Sequence, residues 1–133
     1  MLKNEKKFFE DVTNNIIGVD EVGRGALCGP VVSCSVLLKK EILQFDLVNQ
    51  INDSKKISEK KRKTLSNFIK KNSTFYFGIA SNLEIDEINI LQATILSMKR
   101  SLKNFCNHKN KTKIDGQKTF HHSNNTFFIK KGD

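Results

Sequence analysis

The sequence predicts an α/β domain, a mixed β-sheet with helices packed against it. Three observations carry the prediction. Short apolar runs at 16–19 and 126–129, and the short strand candidate at 112–115, have the length of strands rather than helices. Stretches of alternating or aromatic-rich residues, at 30–38 and 73–80, are separated by polar, helix-forming sequence. A single long stretch, from Ile85 to Phe105, repeats apolar residues at three- and four-residue steps. At 133 residues and 15.2 kDa the chain has room for one domain built on one core.

Taken in order, residues 1–15 are polar and form a flexible N-terminal segment, and residues 16–133 form the folded domain. Ile16-Ile17-Gly18-Val19 is a nearly unbroken apolar run, the pattern of a strand buried on both faces, and it runs straight into Asp20 and Glu21. After a glycine-rich turn, Pro30 to Leu38 reads as a second strand with Val32, Cys34, Val36 and Leu38 on one face, so the two strands form a hairpin with a broad loop. Ser58 is the N-cap of a helix running to about Lys71, whose apolar side is only Leu65, Phe68 and Ile69. Ser73 to Ala80 is a third strand. Ser81 and Glu84 have capping-box spacing and open the long amphipathic helix that follows. Thr112 to Asp115 and Thr126 to Ile129 complete the set, and the order of types argues for a mixed sheet with flanking helices.

Charge narrows the partners. The chain carries 23 Lys and Arg against 14 Asp and Glu, a formal net charge of +9, which favours polyanions, nucleic acid first, through counterion release. No apolar run reaches the roughly 18 residues of a membrane span, and no signal core follows the lysine-rich start, so the expected address is cytoplasmic with no membrane partner. Cys28, Cys34 and Cys106 form no Cys-x-x-Cys pair and indicate neither a disulfide framework nor a structural zinc site. His121 and His122 lack a partner at ligand spacing and read as loop residues.

Against this basic background the acids at strand ends stand out. Alternation sends Asp20 and Glu21 to opposite faces of their strand, so at least one is shielded from water, and a shielded carboxylate needs compensation. Asp115-Gly116, taken alone, is also a common turn pair. Carboxylates gathered at one place raise one another's pKa unless a hard divalent cation offsets them, and paired Mg²⁺ or Mn²⁺ ions can activate water and stabilise the leaving oxygen of a phosphodiester. Acids that hold metal, within cations that hold a phosphate backbone, are what metal-dependent nucleic-acid cleavage requires.

The stretch Gly18-Val19-Asp20-Glu21-Val22-Gly23-Arg24-Gly25, followed by Gly29-Pro30-Val31-Val32, resembles the signature of the ribonuclease HII family, the type 2 ribonucleases H. Further segments resemble that family in the same order: Asp53-Ser54-Lys55-Lys56-Ile57-Ser58 with Lys61-Arg62, then Ile85 to Leu91 with Ala93-Thr94 and Met98, then Ile114-Asp115-Gly116 and Lys131-Gly132-Asp133. The sister type HIII family is less similar in the Gly-Arg-Gly-Ala-Leu-Cys-Gly-Pro run.

The resemblance implies a ribonuclease H-like fold. It implies a monomeric endoribonuclease that uses Mn²⁺ or Mg²⁺ to cleave the RNA strand of RNA–DNA hybrids and ribonucleotides embedded in duplex DNA, leaving 3′-hydroxyl and 5′-phosphate ends. Carried over residue by residue, Asp20, Glu21, Asp115 and Asp133 are the catalytic, metal-binding carboxylates. Gly23, Arg24 and Gly25 form the loop that senses the 2′-hydroxyl, and Lys55 and Lys56 contact phosphate. Glycines suit that loop because they let backbone groups approach a sugar closely. The family continues past its fourth acidic motif into a C-terminal lobe, so the expectation is a domain truncated at its C-terminus, with Gln117 and Phe120 where the family tends to have Asn and Pro. The alternative is a basic nucleic-acid-binding fragment without catalysis, which the charge alone supports.

Overall fold

The strand signals pair into one sheet. The computed structural model describes residues 3–23, 29–51, 58–105, 110–115 and 126–129, of which 3–5, 115 and 126–129 are described as backbone only. Five strands, β1 (Ile17–Val22), β2 (Val31–Leu38), β3 (Ser73–Ala80), β4 (Thr112–Asp115) and β5 (Thr126–Ile129), stand in the order β3-β2-β1-β4-β5. β1 pairs in parallel with β4, and β4 in parallel with β5. The β1–β2 connection, residues 23–30, is too short for a parallel crossover of about a dozen residues, so these neighbours run antiparallel and the sheet is mixed. Among the described residues three helices accompany it: α1 (Lys3–Thr13), α2 (Glu59–Lys71) and α3 (Asn82–Leu102).

Contacts divide the chain into two compact units, residues 1–16 with 37–74 and residues 17–36 with 75–133. The first holds α1, α2 and two short 3-10 turns, Lys40–Gln44 and Asp46–Gln50. Residues 3–13, expected only as a polar segment, are helical because Phe8 and Val12, four apart, share a face, with Val12 buried in the same unit as Ile42. The helix ends in a Schellman motif. Asn15 takes a left-handed φ of 56°, its N–H donates to Val12 O (3.1 Å), and Ile16 N donates to Asp11 O (3.0 Å). In α2, Ser58 is the N-cap as expected, accepting from Lys61 N (3.1 Å), and Leu65 is its buried residue. The 3-10 turns had no sequence signal, since each is too short to show a period.

In the second unit α3 packs on β1, covering Ile17 and Val19. The other face of β1 does not follow the two-sided burial expected of it. Gly18 and Asp20 are exposed, and no atom of the described residues lies within 4 Å of where a Gly18 Cβ would stand. On β2 the fully buried face is Val31, Ser33 and Ser35, while Val32, Cys34 and Val36, which share the other face as expected, are half-buried. The reason lies in the partner element. Ser97 Oγ donates to Thr94 O (2.7 Å), so Ser33 Oγ donates to Ser97 Oγ (2.5 Å), and Ser35 Oγ donates to Ser101 O (2.6 Å). Buried hydroxyls that all find acceptors cost little, and their small size lets helix and sheet approach closely.

The capping box at Ser81 and Glu84 forms as expected. The long helix, however, is not straight. Asn89 has φ 73° and ψ 168°, and its Oδ1 accepts from Gln92 N (3.0 Å), so it ends one helical segment and caps the next. Arg100 therefore reaches back to Glu84 in a two-pronged ion pair, with nitrogen–oxygen distances of 2.8 and 2.6 Å, and also donates to Ile79 O (2.6 Å). Across a straight helix those residues would stand about 24 Å apart.

Candidate metal centre

β1 continues past its apolar run, so Asp20 and Glu21 lie within the strand rather than after it. Asp20 is exposed on the face it shares with Gly18 and Val22, and its Oδ1 accepts from the Glu21 backbone N–H at 2.8 Å. Glu21 is half-buried on the opposite face, in line with Ile17 and Val19. The β1–β4 register pairs Ile17 with Thr112, Gly18 with Lys113 and Val19 with Ile114. The paired ladder ends there, and the next residues along the two strands are Asp20 and Asp115, on strands spaced about 4.8 Å apart. Asp115 is also in register with Ile129 of β5. Because β1, β4 and β5 are parallel, their carboxyl ends share one sheet edge, the edge at which open α/β sheets bind ligands.

Gly23 follows β1 directly and takes a left-handed φ of 99°. A Cβ there would stand 2.5 Å from Pro30 O and 3.5 Å from Val31 Cα, so both the dihedral and the close approach of the strand entering β2 demand glycine. Arg24, Gly25, Lys55, Lys56 and Asp133 lie outside the described residues. Among the described residues no three His, Cys, Asp or Glu side chains gather as a metal site. The donor set that β1 and β4 carry is nonetheless of one chemical kind. Carboxylates are hard oxygen ligands suited to Mg²⁺ or Mn²⁺. No helix among the described residues is long and apolar enough to cross a membrane. The open space at Gly18, beside Asp20 on the same strand face, is a feature that sequence reasoning missed, since an apolar run signals burial and not which face is covered.

Solved structures show which fold this mixed sheet, with its helix on β1 and its acids at Asp20, Glu21 and Asp115, belongs to: it is ribonuclease H-like. The chain superposes on the ribonuclease HII of Archaeoglobus fulgidus, solved in complex with PCNA, with a TM-score of 0.69 at 20% identity, over 88% of this chain and 63% of that one. It superposes on Bst-RNase HIII, solved with Mn²⁺, with a TM-score of 0.66 at 15% identity, over 88% and 45% of the two chains. Sequence comparison is more specific. The ribonuclease HII family model matches residues 17–130. The ribonuclease HII of Caldanaerobacter subterraneus subsp. tengcongensis is 52% identical over 99 residues, 74% of this chain and 39% of that protein. The Fusobacterium nucleatum ribonuclease HII is 50% identical over 96 residues, 72% of this chain and 43% of its own length. The chain belongs to the ribonuclease HII family, and it spans about two-fifths of the length of these curated relatives.

Proposed function

We propose that the chain is the metal-binding part of an endoribonuclease that cleaves the RNA strand of RNA–DNA hybrids, and ribonucleotides embedded in duplex DNA, leaving 3′-hydroxyl and 5′-phosphate ends. One observation supports this above the others: β1 and β4 pair in parallel up to Val19 and Ile114, so the carboxyl ends that carry Asp20, Glu21 and Asp115 share one sheet edge. Asp20, Glu21, Asp115 and Asp133 would hold Mg²⁺ or Mn²⁺, which when bound supplies charge for the phosphodiester and lowers the pKa of water. The chain's own residues bind and orient. The Glu21 N–H fixes the Asp20 carboxylate, and Gly23, left-handed and close against Pro30, precedes Arg24 and Gly25, which would read the 2′-hydroxyl through backbone groups. Lys55 and Lys56 would hold phosphate as point charges. In this reading residues 16–133 are the catalytic domain, residues 1–15 an N-terminal segment, and the protein a cytoplasmic monomer.

The test is nicking of duplex DNA that contains one ribonucleotide, with Mg²⁺ or Mn²⁺. Metal-dependent nicking is expected, with loss of 100-fold or more in Asp20→Asn, on the order of what removing one group that stabilises developing charge costs. Binding without nicking would overturn the proposal and leave a basic nucleic-acid-binding module, a reading that the +9 charge favours.

A further inference from the structure

We infer that α2 carries a second nucleic-acid contact, a lysine stripe that grips the phosphate backbone of duplex DNA independently of the metal centre. Lys60, Lys63, Lys70 and Lys71 are exposed and, with Thr64 and Asn67, occupy one side of the helix at three- and four-residue steps. None of these four lysines has an ion-pair partner among the described residues, and Glu59 is the only acid of the helix. Lys60 sits in the first turn, where the helix dipole disfavours a cation by about 0.3–1 kcal/mol, whereas Lys70 and Lys71 sit in the last turn, where it favours them. The platform beneath the stripe is anchored: Leu65 is buried, the Phe68 ring packs edge-on against Phe45 (5.6 Å, 84°), Asn72 Nδ2 donates to Phe68 O (2.9 Å), and Lys39 N donates to Asn72 O (2.8 Å).

The dimensions and chemistry fit a nucleic-acid backbone. From position 60 to 71 the helix rises about 16 Å, close to five nucleotide steps of about 3.4 Å along one strand. A membrane surface fits less well. Interfacial helices insert an apolar face flanking their cations, whereas here the residues among the lysines are Thr64 and Asn67, and the apolar side is packed inside the same unit.

The inference adds to the proposed nuclease activity, and the two fail separately, because the experiment needs neither a ribonucleotide nor a metal. The probe is a labelled DNA duplex without ribonucleotides, in EDTA, with binding followed by fluorescence anisotropy over a salt series. The test variant replaces Lys60, Lys63, Lys70 and Lys71 by Gln, whose helix propensity matches that of Lys. A control variant replaces Lys6, Lys39, Lys40 and Lys103, all exposed, so both lose four charges from the formal +9. Each backbone contact contributes about 0.9 to the slope of log affinity against log salt. The test variant is expected to lose about 3 to 4 from the slope, and the control to stay near wild type. Equal losses in both, or none in the test variant, would overturn the inference, as would retained duplex binding together with loss of binding to phosphatidylserine vesicles. If circular dichroism shows that the quadruple variant has lost helix, Lys60→Gln and Lys71→Gln alone, each expected to cost about 0.9, decide the matter by the same criterion.

Discussion

At the scale of single residues, glycines divide by what surrounds them. A Cβ on Gly78 of β3 would collide with Ser97 O and Ser101 N of α3 and stand 2.9 Å from the Arg100 carbonyl carbon, all of it backbone that cannot swing aside. The bare strand backbone is therefore what allows α3 to lie so close. Gly78→Ala should destabilise the protein by about 1–3 kcal/mol, the usual cost of overpacking, with a drop of several degrees in melting temperature. Gly18→Ala, on the open side of β1, should leave the melting temperature nearly unchanged. Equal losses in the two variants would show that the close approach at Gly78 is not what costs. The same seam explains why the core side of β2 could not be read from composition. Ser33 and Ser35 are polar letters in the sequence, and only their hydroxyl bonds to Ser97 and Ser101 make their burial favourable.

At the scale of elements, the starts of α2 and α3 were legible and the bend was not. Ser58, Ser81 and Glu84 act within three residues of themselves, so their capping role can be read from spacing alone. The break at Asn89 depends on a left-handed residue inside an otherwise unbroken apolar period, which the period conceals. The bend has an electrostatic consequence. The Arg100 guanidinium, aided by the Ser81 N–H, holds the Glu84 carboxyl down at about 2, against an ordinary value of 4.5. A carboxylate depressed by folding contributes stability that is fully present above its unfolded pKa and is lost as pH falls through the folded one. The melting-temperature gap between wild type and Glu84→Gln should therefore be constant above about pH 5 and narrow steadily below it, towards pH 2. A gap that widens on acidification would mean that the pair does not stabilise the bend. Because both side chains are partly exposed, the effect should also shrink in high salt.

At the scale of the whole molecule, the proposed centre has a thermodynamic signature separate from catalysis. An ion that binds the folded chain and not the unfolded one stabilises it by RT ln(1 + [L]/Kd), about 2.7 kcal/mol at a hundredfold excess over Kd. Millimolar Mg²⁺ or Mn²⁺ should thus raise the melting temperature of the wild-type chain by several degrees, and the rise should vanish in Asp20→Asn. An unchanged melting temperature with metal would argue against a formed centre in this chain, whatever its family. The distinction matters because the chain matches about two-fifths of its relatives' length, so family membership and a working site are separate properties.

The residues by themselves determined the order and nearly all the boundaries of the strands and longer helices, the caps at Ser58 and Ser81, and membership of the ribonuclease HII family. Each rests on a signal confined to a few neighbouring positions or to a motif. Tertiary structure alone decided that β1 stands at the sheet's centre beside β4, which face of β1 is covered, that β2 buries its serines, and that α3 folds back at Asn89. These depend on which distant segment supplies the opposing backbone or hydroxyl, and pairing across sixty to a hundred residues leaves no periodic mark on the chain.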